Sequence, residues 1–348
     1  MKNILVIFLI LTVSSSAQWE FEESSIKSAE AIRNIVIDCP VGIIEIEQSS
    51  DNNIYADFRK TFYCDDEGDA KEMSGEIIFD FQVDNSTAQV NIELPRHSRK
   101  RSIFKKLFND TDKDGLDIML KIKLPKGINL EIQAASADIF VSDIDNQTLI
   151  KSASSDVVLE NITGDCDIRL ASGDIEAMRI FGKFNFSGSS SDFQFEDIKG
   201  DMDISTSSGD GFIETAKGNL KVSTTSGDVK LYSLDGDLSF QSTSGDLKSE
   251  DISGEIDAKS TSGSLKMRLL KNTEGRFNLN TISGDVYLEL PQTFGGDLVI
   301  ETVSGSIESQ LDMKTNAVSD SYFKGRIGSG SGKIYIETVS GDIAIESY

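Results

Sequence analysis

Histidine is nearly absent from this sequence of 348 residues: His97 stands alone, so a zinc site that needs two imidazoles, such as HExxH, cannot be built from the chain. A Ser-His-Asp triad would have to rest on that one residue. Basic residues are scarce as well: 34 Lys and Arg face 58 Asp and Glu, a net charge of −24 that repels nucleic acid and anionic lipid and excludes general nucleic-acid binding. No apolar run approaches the roughly 20 residues of a membrane-spanning helix. Cysteine is limited to Cys39, Cys64 and Cys166. In an oxidising compartment a Cys39–Cys64 disulfide is possible, but three cysteines allow three pairings and the sequence does not choose among them.

What is present begins with Met1-Lys2, the apolar run Ile4–Val13 and the small residues Ser15-Ser16-Ala17. This order of charge, short apolar core and small residues predicts a signal peptide over residues 1–17 and an exported mature chain from Gln18, with no cysteine at the cut to carry a lipid.

The dominant feature is a repeat. Ser-Gly-Asp, or a close variant, starts at Ser136, Ser154, Ser172, Ser190, Ser208, Ser226, Ser244 and Ser262, always 18 residues apart, and recurs at Ser283, Ser304 and Ser340. A second glycine series, Gly164, Gly182, Gly200, Gly218, Gly236 and Gly254, keeps the same step. Behind each glycine, apolar residues alternate with polar ones, as in Val229 and Leu231 or Leu220 and Val222, which is strand periodicity. Such a unit cannot close a core alone and must stack on its neighbours with parallel strands. The expected fold is all-β: a right-handed parallel β-helix or β-solenoid with coils of about 18 residues, the hand following the rule for parallel crossovers. Tight corners account for the glycines, and the neighbouring Asp or Ser is expected to bond nearby backbone in an Asx-type turn. Cys166 falls in register with Phe184, Met202 and Leu220 and reads as a small core side chain.

The repeat defines residues 131–348, with added residues at 269–274, 290–295 and 310–331 on one edge, where they either form a binding face or are merely tolerated. Residues 18–130 lack the period but hold strand-like pieces, Ile35–Asp38, Gly42–Ile46, Val90–Leu94 and Ile118–Leu124, and read as an irregular β-rich N-terminal cap. Within it, residues 96–108 form a basic loop, suited to plain solvation, to an anionic contact or to proteolysis. Next, Asp110, Asp112 and Asp114 alternate before Gly115 like the start of a calcium loop. Lys121 stands where an EF-hand needs its bidentate Glu, so at most a simpler calcium turn of Asp110, Asp112, Asp114 and Asp117 is expected.

The stretch Ser-Gly-Asp-Val-Lys-Leu (226–231), Gly-Asp-Leu-Ser-Phe (236–240) and Ser-Thr-Ser-Gly-Asp-Leu (242–247), with Leu124-Pro125 before the first coil, resembles the bacterial putative-adhesin family of β-strand-repeat proteins. The resemblance implies an exported cell-envelope protein, in the periplasm, at the outer surface or secreted, with no catalytic residues to carry over. Three functions follow for comparison. The first is a non-catalytic adhesin-like protein binding glycans or proteins along a β-helix face. The second is a polysaccharide-active enzyme, which needs acids beside one of Arg169, Arg179, Arg268, Arg276 or Arg326. The third is a structural envelope scaffold. No cofactor is implied beyond the calcium of the Asp110–Asp117 turn.

Overall fold

The computed structural model describes residues 18–95, 115–270, 275–311, 314–319 and 321–348, and the chain divides into two compact units, residues 1–170 and 171–348. The basic loop 96–108, the signal peptide 1–17 and the aspartates at 110, 112 and 114 lie outside the described residues.

In residues 171–348 the alternation builds two parallel-rich sheets. One runs Ile175–Phe181, Phe193–Lys199, Gly211–Lys217, Val229–Asp235, Leu247–Ile252, Leu265–Leu269 and Val286–Leu290 in spatial order. The other runs Phe184–Ser190, Met202–Ser208, Leu220–Thr224, Leu238–Ser242, Ile256–Ser260 and Arg276–Thr281. Each strand places equivalent residues side by side, Phe195 on Ile213 and Val222 on Phe240, so every apolar position becomes a buried column. One strand from each sheet makes a layer, and neighbouring layers bury the core that one alone would expose.

Sequence order and spatial order part company at the end. The last layer, Gly332–Thr338 and Ile343–Ser347, lies between Arg276–Thr281 and Gly296–Thr302 in one sheet and between Val286–Leu290 and Ile307–Ser309 in the other. Residues 310–331 hold the hairpin Lys314–Ser319 and Tyr322–Ile327, which pairs antiparallel with Gly296–Thr302 and covers that sheet's edge. Residues 290–295 form a tight turn, Phe294 N–H to Pro291 C=O at 2.8 Å, that seats the Phe294 ring against Phe277. Both additions therefore perform packing and edge protection.

Residues 18–170 use the same interleaving. Asn34–Asp38 lies between Thr87–Glu93 and Asn129–Ala134, and Val41–Gln48 between Gly115–Leu124 and Ser136–Ser142. Antiparallel strands close the outside: Asn53–Tyr63 on Gly115–Leu124, Gln18–Ser28 on Asn53–Tyr63, and Ile78–Asp84 on Thr87–Glu93. The strand-like pieces seen in the sequence all contribute to strands here. A helix, Glu67–Glu76, was not expected; Asp66 caps it by accepting the Asp69 N–H at 2.9 Å, and Ala70 and Met73 are buried beneath it.

The cysteines settle by topology. The Cys39–Cys64 disulfide is not formed: Cys39 is fully buried after a strand of one sheet, with Sγ on the Val41 carbonyl at 3.3 Å, whereas Cys64 follows a strand of the other. Cys166 is buried in the core.

One backbone detail explains a break in the alternation. Asp143, Asn161, Arg179, Asp197 and Asp251, at positions related by multiples of 18, all take positive φ between 52° and 58°. There the strand inserts one residue before its last inward side chain, as between Leu159 and Ile162. Asn and Asp tolerate this conformation, whereas Arg179, at φ 57°, does not share their ease. Arg179→Gly is expected to raise stability by about 1 kcal/mol in urea unfolding. A lowered midpoint would show that the arginine's contacts outweigh its backbone cost.

Candidate binding face

The two turn rows do different work. Where Asp follows the Ser-Gly pair, its carboxylate reaches the next layer instead of closing a local Asx turn. Oδ1 of Asp174, Asp192, Asp210, Asp228 and Asp246 accepts the backbone N–H of the residue 18 further on, at 2.7–3.1 Å. The local turn is held by a residue the sequence reading missed, the Ser or Thr three before the glycine: Thr224 Oγ1 accepts the Gly227 N–H at 3.0 Å and Ser260 Oγ the Gly263 N–H at 2.8 Å. A second ladder runs along the other row, Asn219 N–H to Asp201 Oδ1 at 2.8 Å and Glu255 N–H to Asp237 Oδ1 at 2.8 Å. Like charges stacked at the strand spacing of about 4.8 Å repel. Each carboxylate offsets this by taking a charge-assisted bond from a backbone amide.

Beside each ladder the surface is hollow. On one sheet a cavity of ≈ 490 Å³ is bordered by Asp201, Asp237 and Glu255 of the ladder and by Lys183, Lys221 and Arg276. Across it Lys221 Nζ meets Asp203 Oδ2 at 3.1 Å. On the other sheet a hollow of ≈ 310 Å³ is bordered by Asp192, Asp210, Asp228, Gln194, Phe212 and Lys230. Both present hydroxyl-accepting oxygens in a regular row beside ammonium donors, joined in the first hollow by the Arg276 guanidinium, an arrangement suited to a polar, extended ligand.

Among the described residues the candidate arginines stand apart from one another, and Arg268 pairs with Glu289 at 3.9 Å. Arg169 pairs with Asp167 at 2.8 Å, Arg268 lies over the Tyr348 ring at 4.1 Å, and Arg326 bonds Asp297 at 2.5 Å and the Gly330 carbonyl at 2.7 Å. Arg276 borders a hollow of the ladder face. Burial pushes the thiols of Cys39 and Cys166 up to about 12, so neither is a thiolate nucleophile near neutral pH.

Of the four candidate calcium ligands only Asp117 is described: it lies in the strand Gly115–Leu124 and accepts the Tyr63 hydroxyl at 2.8 Å, which holds that phenol's pKa above its usual value. Among the described residues no group of three or more His, Cys, Asp or Glu side chains is arranged to hold a metal ion.

The displaced last layer is pinned by an exposed carboxylate. Asp342 Oδ1 accepts the backbone N–H of Ser306 at 2.8 Å and its hydroxyl at 2.9 Å, and these bonds lower the Asp342 pKa below the ordinary carboxylate value. A carboxylate whose folded pKa is depressed stabilises the fold above its unfolded pKa and loses that contribution as pH falls through the folded value. The thermal midpoint is expected to decline below about pH 4, and Asp342→Asn to remove part of that decline. An unchanged pH profile in the variant would refute the link.

The architecture defines the class: an all-β, solenoid-like repeat protein whose ordered turns run in rows along its surface. The chain belongs to the Toastrack DUF4097 family, whose model matches residues 120–248 and again 181–346. No curated protein matches the chain. Among solved structures it is similar to a putative adhesin from Bacteroides fragilis NCTC 9343, at 12% identity over 94% of this chain and 97% of that one, TM-score 0.28. It is also similar to a putative adhesin from Parabacteroides merdae ATCC 43184, at 11% identity over 94% and 96% of the two chains, TM-score 0.30. A third is a putative lipid binding protein from Parabacteroides distasonis ATCC 8503, at 12% identity over 94% and 96%, TM-score 0.32.

Proposed function

We propose that this chain is a non-catalytic, exported adhesin-like protein of the cell envelope that binds a glycan or a protein along the ladder face of residues 171–348. The observation that carries the reading is the row of exposed carboxylates, each tied to backbone through one oxygen and bordering hollows that also hold Lys183, Lys221 and Arg276. A right-handed coil of about 18 residues, behind a cap of residues 18–130, is the architecture this reading assumes. The dispersal of the arginines favours binding over polysaccharide cleavage. A calcium turn at Asp110, Asp112, Asp114 and Asp117 belongs to the same proposal and would make binding calcium-dependent.

A glycan array probed with the purified protein, with and without calcium and read later for cleavage products, tests it. Binding without turnover is expected. Affinity spread over several layers predicts that Lys221→Ala weakens binding only a few-fold, while Lys221→Ala combined with Asp237→Ala weakens it further. Release of cleaved product, or loss of all binding from one substitution, would overturn the proposal.

A further inference from the structure

On the inward-facing side of the strand Asn53–Tyr63 the buried series reads Ile54, Ala56, Phe58, Lys60, Phe62. Lys60 is a cation in a row of apolar residues, with its side chain 2% exposed. It is fully bonded: Nζ donates to Glu23 Oε1 at 2.6 Å and to the carbonyls of Ser74 at 3.0 Å and Ile77 at 3.4 Å. The two carbonyl bonds tie the strand to the end of the helix Glu67–Glu76, the third ties it to the strand Gln18–Ser28, and beside them the packing leaves a hollow of ≈ 540 Å³. Phe21, Ile77, Ile78 and Phe79 supply its apolar wall. A volume in the range of small-molecule sites, an apolar lining and few polar groups are what ligand pockets have in common.

The charges in the lining are Lys60, Glu23 and Lys71. Lys60 and Glu23 neutralise each other, which leaves Lys71, exposed on the helix, as the uncompensated charge of the rim. Glu72 and Glu76 share that helix but do not border the hollow. Ile78, 51% exposed, continues the apolar wall to the opening, where an isolated folded chain leaves it wet.

We propose that this hollow is a binding site for one single-chain anionic amphiphile of the fatty-acid class. The alkyl chain lies against Phe21, Ile77, Ile78 and Phe79, and the carboxylate meets Lys71 at the rim. The Lys60–Glu23 pair forms the floor and holds helix and strand apart at a fixed width, so the site exists before the ligand arrives.

Calorimetric titration of the purified protein with octanoate, decanoate and dodecanoate, each below its micelle concentration, tests the assignment. One saturable site per chain is expected, tightening about fourfold for each added CH₂ until the hollow is full. Dodecyltrimethylammonium, with the same chain and the opposite charge, is expected to bind at least tenfold more weakly. Lys71→Glu should weaken dodecanoate about tenfold and narrow the preference over the cation. Ile78→Asp should flatten the dependence on chain length. Both substitutions are at exposed positions, so unchanged circular dichroism is expected alongside. Absence of saturable binding, equal affinity for the cation, or variants that bind like the parent would each overturn the proposal.

Discussion

Gly245→Val is expected to lower the stability of residues 171–348 by about 3 kcal/mol or more, among the largest effects a single substitution has. Gly245 has an ordinary backbone conformation, so the demand for glycine comes from proximity: a Cβ there would overlap the carbonyl oxygen of Gly227 and lie 2.7 Å from its carbonyl carbon. Gly227, Gly263, Gly284, Gly341 and Gly305 meet their neighbours in the same way, so the turn row is a stack of peptide groups with no room for a methyl. The backbone cannot shift aside, because the Gly245 N–H is held by Ser242 Oγ at 2.7 Å. Gly75 supplies the control: nothing lies within 4 Å of its Cβ direction, and in a helix Gly75→Ala should stabilise by up to about 1 kcal/mol. Urea unfolding followed by circular dichroism distinguishes the two. Because each layer touches only its neighbours, hydrogen exchange should show the damage centred on the layers of Gly227, Gly245 and Gly263. An unchanged midpoint for Gly245→Val would refute the stacking argument.

The second large effect is a rescue. In one core column the residues read Ile175, Phe193, Gly211, Val229 and Leu247, so the largest side chain and the absent one are adjacent. A Cβ on Gly211 would run into the Phe193 ring, which itself stacks on Phe195 at 5.1 Å, 28° from parallel. Gly211→Val alone should cost about 3 kcal/mol through overpacking. Phe193→Val alone should cost about 2–3 kcal/mol through the cavity it leaves. Together they give a column of Ile, Val, Val, Val and Leu in which the volume removed at 193 is supplied at 211, and the double variant should lie within about 1 kcal/mol of the parent. Additive costs in the double-mutant cycle would show that the two residues do not share one volume.

Much of this fold was legible because its determinants are local and periodic. The step of 18 placed Ile162, Cys166 and Leu220 in the core, and each is buried. The order of the last layers was not legible. Residues 300–305 and 336–341 carry the same run, Ile-Glu-Thr-Val-Ser-Gly, so either segment satisfies the same neighbours, and a pattern of inward side chains does not record which layer lies next to which. Ladder bonds such as Asp228 N–H to Asp210 Oδ1 were missed for a related reason. A carboxylate beside a glycine suggests a local turn, and only the stacking brings the amide 18 residues away within 3.0 Å. The hollow beside Lys60 left a single trace in the sequence, one charge in the apolar alternation Ile54 to Phe62. Its partner Glu23 lies 37 residues away on a strand whose antiparallel pairing no repeat announces.

The interleaved final layer also bears on how the chain matures during synthesis. The slot between Val286–Leu290 and Ile307–Ser309, and between Arg276–Thr281 and Gly296–Thr302, is filled by the last 17 residues. The layers of an uninterrupted solenoid can zip up in the order they emerge, but these cannot. Gly296–Thr302 can pair with the hairpin strand Tyr322–Ile327 on one side, but its other edge, and the strand Ile307–Ser309, have no neighbour among the described residues until Gly332–Ser347 arrives, so without those residues raw strand edges are left for proteases and aggregation to find. Gly332–Thr338 and Ile343–Ser347 thereby act as a keystone set late between strands already made, one of which the hairpin over residues 314–327 guards on its other side.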